Sequence, residues 1–171
     1  GVSCHDPMGM AYVSTTYNSI IHVGGDAINY HYFKRLIDNP SIKGRDRGKV
    51  KLIAGGPGVW QIKDTNMQDE FGIDTLLYGD AEIDLPGIFQ RVLDGEDIGR
   101  EVKMHAVDPE ITDIPLIRRP ASYGCVEITR GCGRACQFCY PTMRKRHSFP
   151  ISYVMKEVEV NVEGGCKSVF L

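Results

Sequence analysis

Thr129-Arg130-Gly131-Cys132-Gly133-Arg134-Ala135-Cys136-Gln137-Phe138-Cys139 sets three cysteines at C-x3-C-x2-C spacing. Glycine stands on both sides of the first cysteine, and an aromatic precedes the third. Three thiolates this close can wrap one face of a cubic iron–sulfur cluster. Three protein ligands for four irons leave one iron open to a small molecule. That is a reactive centre, because a purely electron-carrying cluster normally has four cysteines. Cys132, Cys136 and Cys139 are the expected metal ligands.

The alternative is a structural zinc site with Cys125 as fourth ligand. Residues 123–129 carry β-branched and aromatic side chains and read as a strand. An extended chain from Cys125 to Cys132 spans roughly 23 Å at ~3.3 Å per residue, too far for one metal unless it bends back. Zinc sites also favour paired C-x2-C knuckles, and only one such pair is present.

Working outward, the flanks are basic. Between Ile128 and Met155 there is no Asp or Glu, whereas Arg130, Arg134, Arg144, Lys145 and Arg146 are cationic. A cluster with three thiolates is anionic, and nearby cations favour it. Arg130 is the cation expected to act there. The run Arg144 to Arg146 fits a solvated surface equally well.

The cysteine run resembles the signature of the radical S-adenosylmethionine (radical SAM) enzymes. Its Arg-Gly-Cys opening is similar to that of members with a cobalamin-binding-type domain upstream. The resemblance implies a [4Fe-4S] cluster whose open iron chelates SAM. It also implies reductive cleavage of SAM to a 5′-deoxyadenosyl radical that attacks an unactivated carbon, with cobalamin-dependent methyl transfer as one outcome. The cofactors carry that chemistry, and the protein positions and shields them. Phe138 matches the aromatic beside the SAM adenine. An electron-donor protein is an implied partner, and the substrate is a small molecule or a protein.

Upstream, residues 50–54 and 74–78 read as strands that run into the turns Gly55-Gly56-Pro57-Gly58 and Gly79-Asp80-Ala81-Glu82. Residues 61–71 and 85–93 read as helices, the second starting near Pro86. Alternating strands and helices argue for a parallel α/β sheet. This part resembles the second half of a cobalamin-binding-type domain. The resemblance implies that Gly55, Gly56, Gly79 and Glu82 contact a nucleotide-like tail at the strand ends. The D-x-H-x-x-G run of many such domains is absent, and neither His5 nor His31 supplies it, so the alternative is a radical SAM enzyme whose upstream domain keeps the fold without cobalamin.

Nearer the start, residues 10–19 are rich in Tyr, Thr and Val and read as a strand. Asp26 can cap a helix whose apolar face holds Ile28, Tyr32 and Leu36, with Phe33 and Ile37 beside them, and Asn39-Pro40 ends it. Cys4-His5-Asp6 carries metal-binding side chains, but a lone trio near a terminus is more often structural.

Beyond the cysteines, Ile151, Val154, Met155, Val158 and Val162 form a helical stripe closed by Gly164-Gly165. Residues 168–171 read as a second strand. The expected organisation is a cobalamin-binding-type Rossmann-like part over residues 1–104 and a linker over 105–121. Residues 122–171 would then be the first βαβ unit of a partial TIM-type barrel. A barrel of roughly 200 residues does not fit in that last stretch. The chain therefore reads as a fragment, one that does not by itself cleave SAM at a useful rate.

Composition narrows the classes. The chain has 171 residues, 42% of them hydrophobic, and a net charge of −2. That gives no clear nucleic-acid signal. No apolar stretch approaches the ~20 residues of a membrane span. Six cysteines without a secretory signal read as reduced thiols of a cytoplasmic protein.

Overall fold

The computed structural model describes residues 1–21, 25–108, 114–134 and 146–171. The chain forms two compact units, Gly1–Ala106 and Val107–Leu171.

The first unit is built on four parallel strands in the order β1 (Val2–Ser3), β2 (Ile53–Gly55), β3 (Thr75–Tyr78) and β4 (Glu101–Lys103). Strands with both faces covered need continuous apolar runs. Leu52-Ile53-Ala54 and Leu76-Leu77 supply them. Successive side chains point to opposite faces. Leu52, Ala54 and Leu76 join Phe33 and Ile37 of α2 (Ile28–Ile37) and Val59 and Ile62 of α4 (Val59–Asp64) in one core. Ile53 and Leu77 join Ile88 of α5 (Ala81–Leu93) in a second core on the other face. This is the parallel α/β sheet expected from the sequence, and it is compatible with a Rossmann-like fold. Because β2-to-β3 and β3-to-β4 step the same way across the sheet, connections on opposite faces have opposite hands. One of them therefore departs from the usual right-handed crossover.

Several local expectations are corrected. Residues 10–19 do not form a strand: α1 (Tyr12–Ile21) is a helix. Its start is fixed by Asp6, whose Oδ1 accepts from the Ala11 backbone N–H at 2.9 Å and whose Oδ2 accepts from the Ser14 hydroxyl. That local capping overrides the β-propensity of Tyr, Val and Thr. Asp26 does not cap α2; Ala27 holds the cap position without a side-chain bond. The buried stripe of α2 is Phe33 and Ile37, whereas Ile28, Tyr32 and Leu36 are exposed. Asn39 ends α2 as expected, and its Oδ1 then accepts from Ser41 N to cap the short α3 (Pro40–Lys43). Pro86 does not open α5 but lies inside it.

The second unit has sparse regular structure. A short antiparallel ladder joins β5 (Thr129–Arg130) to β6 (His147–Ser148). It is followed by α6 (Ile151–Glu163). The strand expected over residues 123–129 is broken at its start by Tyr123 (φ 60°) and Gly124 (φ 65°), both left-handed. Beyond them Cys125 makes one isolated parallel bridge to Phe170. Among the described residues, the parallel pairing needed to begin a barrel is confined to this bridge.

Candidate functional site

The cysteine loop rises from the β5–β6 ladder, in which Thr129 pairs with Ser148 and Arg130 with His147. Gly131 (φ 76°) and Gly133 (φ 68°) are both left-handed, which explains a glycine on each side of Cys132: a side chain at either place is strained. Cys132 between them is exposed with a free thiol. Cys136, Phe138 and Cys139 lie outside the described residues, as do Arg144 and Lys145. A surface-held thiol opening a run of three cysteines is the donor chemistry an iron–sulfur cluster requires, so the residues fit that group.

Arg130 is not a free cation beside the loop. Its Nε and Nη2 donate to the two carboxylate oxygens of Glu127 at 2.9 and 2.7 Å. Its guanidinium lies 5.6 Å from the ring centroid of Phe149. Phe149 is buried with Val107 and Ile114 and stacks on Tyr153 at 5.0 Å. Burial, and then the hydrogen bond to Glu157, push the Tyr153 hydroxyl pKa upward. Across the ladder, His147 Nδ1 lies 2.9 Å from Asp108 Oδ1. Glu127, Phe149 and His147 went unread in the sequence. The available signal was Glu127 three residues before Arg130, a spacing that lets opposite charges meet.

In the first unit, the turns at Gly55–Gly58 and Gly79–Glu82 follow the adjacent parallel strands β2 and β3 and so share one edge of the sheet. The close approach their glycines permit is made to the chain itself. A Cβ on Gly56 (φ 95°) would stand 2.7 Å from Cys4 O, and one on Gly79 (φ 110°) 2.7 Å from Met104 O. Gly55 and Glu82 are half-buried beside them. The order β1-β2-β3-β4 never reverses, so these strands contain no topological switch point of the kind where open α/β sheets bind ligands.

The same edge holds a polar cluster that the sequence did not reveal. The buried Asp6 carboxylate accepts from Gln61 Nε2 at 2.8 Å and Asn29 Nδ2 at 2.9 Å, besides Ser14 and the Ala11 N–H. Burial pushes its pKa up, but these hydrogen bonds outweigh it and hold the carboxyl below its ordinary value. Cys4 is buried, its thiol 3.2 Å from Gly55 O, and burial raises it to about 11. Cys4 and Asp6 are thus committed to the fold. Among the described residues no group of three metal-binding side chains stands together.

Two relatives carry the same name, tRNA-2-methylthio-N(6)-dimethylallyladenosine synthase. The one from Magnetococcus marinus is 33% identical over 89 residues, covering 51% of this chain and 20% of the relative. The one from Flavobacterium psychrophilum is 29% identical over 143 residues, covering 81% of this chain and 29% of the relative. These two homologues of the chain are radical SAM enzymes. The radical SAM resemblance of the cysteine run therefore holds, while cobalamin gains no support from these homologues. The chain spans under a third of the length of either radical SAM relative. No family model and no solved structure matches the chain. Among the described residues, no helix is long and apolar enough to cross a membrane.

Proposed function

We propose that this chain is the cluster-bearing part of a cytoplasmic radical SAM enzyme, with Cys132, Cys136 and Cys139 as the three ligands of a [4Fe-4S] cluster and Phe138 beside the SAM adenine. When bound, the cluster supplies an open iron for SAM and the electron for its reductive cleavage. The electron comes in turn from a donor protein. The carrying observation is the exposed Cys132 between two left-handed glycines, at the head of the C-x3-C-x2-C run. The chain's own part is to present the thiolates and shield the reacting face, with the α6 unit as the start of the surrounding barrel. The relatives' names suggest methylthio transfer to a tRNA adenosine as the reaction of the whole protein. A cobalamin reading would rest on the adjacency of the two glycine turns alone.

Anaerobic reconstitution tests the proposal. Roughly four irons per chain are expected, with a visible and electron paramagnetic resonance (EPR) signature of the cluster. Replacing Cys132, Cys136 or Cys139 by alanine should remove most of the iron, and Cys125→Ala should leave it nearly intact. Stoichiometric zinc without the iron–sulfur spectrum, or equal loss in Cys125→Ala, would overturn the assignment in favour of a four-cysteine structural site.

A further inference from the structure

Both strands at the foot of the cysteine loop are pinned by a side-chain contact to a carboxylate. On β5, the Arg130 guanidinium is engaged through two of its nitrogens by Glu127 and backed by the buried Phe149 ring. Phe149 N in turn donates to Ile128 O at 3.0 Å, tying the incoming and outgoing chain together just below the ladder. On β6, His147 meets Asp108. Arg130 and His147 are direct ladder partners, so the two contacts stand opposite each other at the base of residues 131–146.

The sequence alone suggested Arg130 as a counter-charge for an anionic cluster. The geometry points to a different role. A bidentate guanidinium–carboxylate pair carries no net charge, and its field falls off quickly compared with that of a free cation. Only 15% of the Arg130 side chain is exposed. What the pair does provide is a fixed stem. Three thiolates from one loop meet one cluster more readily when the loop's ends are held, because holding them removes closure entropy that the metal would otherwise have to overcome. We propose that Glu127 and Arg130 act together as positioning residues for the cluster loop. Through the fork they set the direction in which Gly131 turns Cys132 outward, and Arg130 does not serve the cluster as a charge. This rests on the cluster reading above.

The test compares Glu127→Gln, Arg130→Gln and the double variant in the reconstituted chain. The readouts are the rate of iron loss to a chelator and the EPR spectrum of the reduced cluster. Partners that orient metal ligands typically change metal retention by about 10-fold or more when removed. Each single variant should therefore lose iron on the order of 10-fold faster with a broadened spectrum, and the double variant should be no worse than the singles, because both break one fork. Arg130→Lys should not rescue, since an ammonium cannot make the planar fork. If Glu127→Gln retains iron and spectrum like the parent while Arg130→Gln does not, Arg130 is a counter-charge and the proposal is overturned. Rescue by Arg130→Lys would overturn it in the same way. Absence of an iron–sulfur spectrum in the parent chain would instead remove the cluster reading itself, and the positioning role with it.

Discussion

The two units differ in the balance of apolar and polar side chains buried beneath their helices. In the first, α2, α4 and α5 lay apolar residues on both faces of the sheet, and Ile62, Ile73 and Leu76 are fully buried. In the second, the buried residues of α6 are Glu157 and Asn161, while Ile151, Met155 and Val162 on the same helix are exposed. The polar face is occupied: Asn161 Oδ1 accepts from Ala121 N at 2.8 Å, and Glu157 Oε1 accepts from Ile117 N at 3.2 Å and from the Tyr153 hydroxyl at 2.8 Å. One helix set is held by the hydrophobic effect. The other adds, to a small apolar cluster in which Tyr153 and Val154 pack on Phe149, buried side chains that satisfy the backbone of a strand-less segment. An amphipathic pattern therefore reports which face is apolar, and only the structure reports which face is covered.

The largest expected effect lies in the first unit. Leu76 is 0% exposed and packs between β2 and the helices of the first core. Leu76→Ala should destabilise that unit by about 2–5 kcal/mol through lost burial and the cavity left behind. Denaturant unfolding followed by tryptophan fluorescence reads this directly, because Trp60, the single tryptophan, sits in α4. A cost below about 1 kcal/mol would mean that the first unit is no better packed than the second.

Acid should separate the units next. The Asp6 carboxyl is held below its ordinary value of 3.8 by four hydrogen bonds that outweigh its burial. Asp74 is lowered likewise: burial raises it, but Leu52 N, Arg45 and Arg47 prevail. A carboxylate with a depressed folded pKa contributes stability that is complete above the unfolded value and is lost as pH falls through the folded one. The first unit should therefore weaken as pH drops below about 3.8. Asp6→Asn should be less stable at neutral pH by about 1–3 kcal/mol, since an amide cannot accept all four bonds. Its acid limb should be shallower. A parent and variant with parallel pH–stability curves would show that Asp6 carries none of the acid sensitivity.

The same contrast explains what could be read from the sequence. The runs Leu52-Ile53-Ala54 and Leu76-Leu77 announced central parallel strands because burial on both faces leaves an unbroken apolar record. The C-x3-C-x2-C run carried the radical SAM resemblance because a metal demands donor types at fixed spacing. The β4 strand went unread: Glu101-Val102-Lys103 alternates over only three residues and carries a single apolar side chain, too short a record to mark a strand. The helix α1 was misread because its N-terminal bond comes from Asp6, five residues before Ala11, while its own Tyr, Thr and Val favour strands. Asp6, Asn29 and Gln61 are far apart in sequence and meet only after β1, α2 and α4 pack. Arg130 was read without its partner: Glu127, three residues earlier, accepts from two of its guanidinium nitrogens. These misses turn on particular side-chain contacts, some local and some distant, that residue propensity does not record.

The smallest expected effect probes the exposed face of α6. Met155 is 50% exposed and belongs to neither buried cluster around the sheet nor the small one around Phe149. Met155→Ala should change the stability of this chain by less than about 0.5 kcal/mol, as for surface substitutions away from caps and cores. Alanine is also the better helix former, so the sign should be neutral or slightly stabilising. The measurement is helix-sensitive circular dichroism through a denaturant titration of the 171-residue chain. A cost of 2 kcal/mol or more, in the range of about 2–5 kcal/mol for buried Met→Ala, would mean that the apolar stripe is covered in solution. The contrast between an apolar-held and a polar-held unit would then fail at the helix on which it depends.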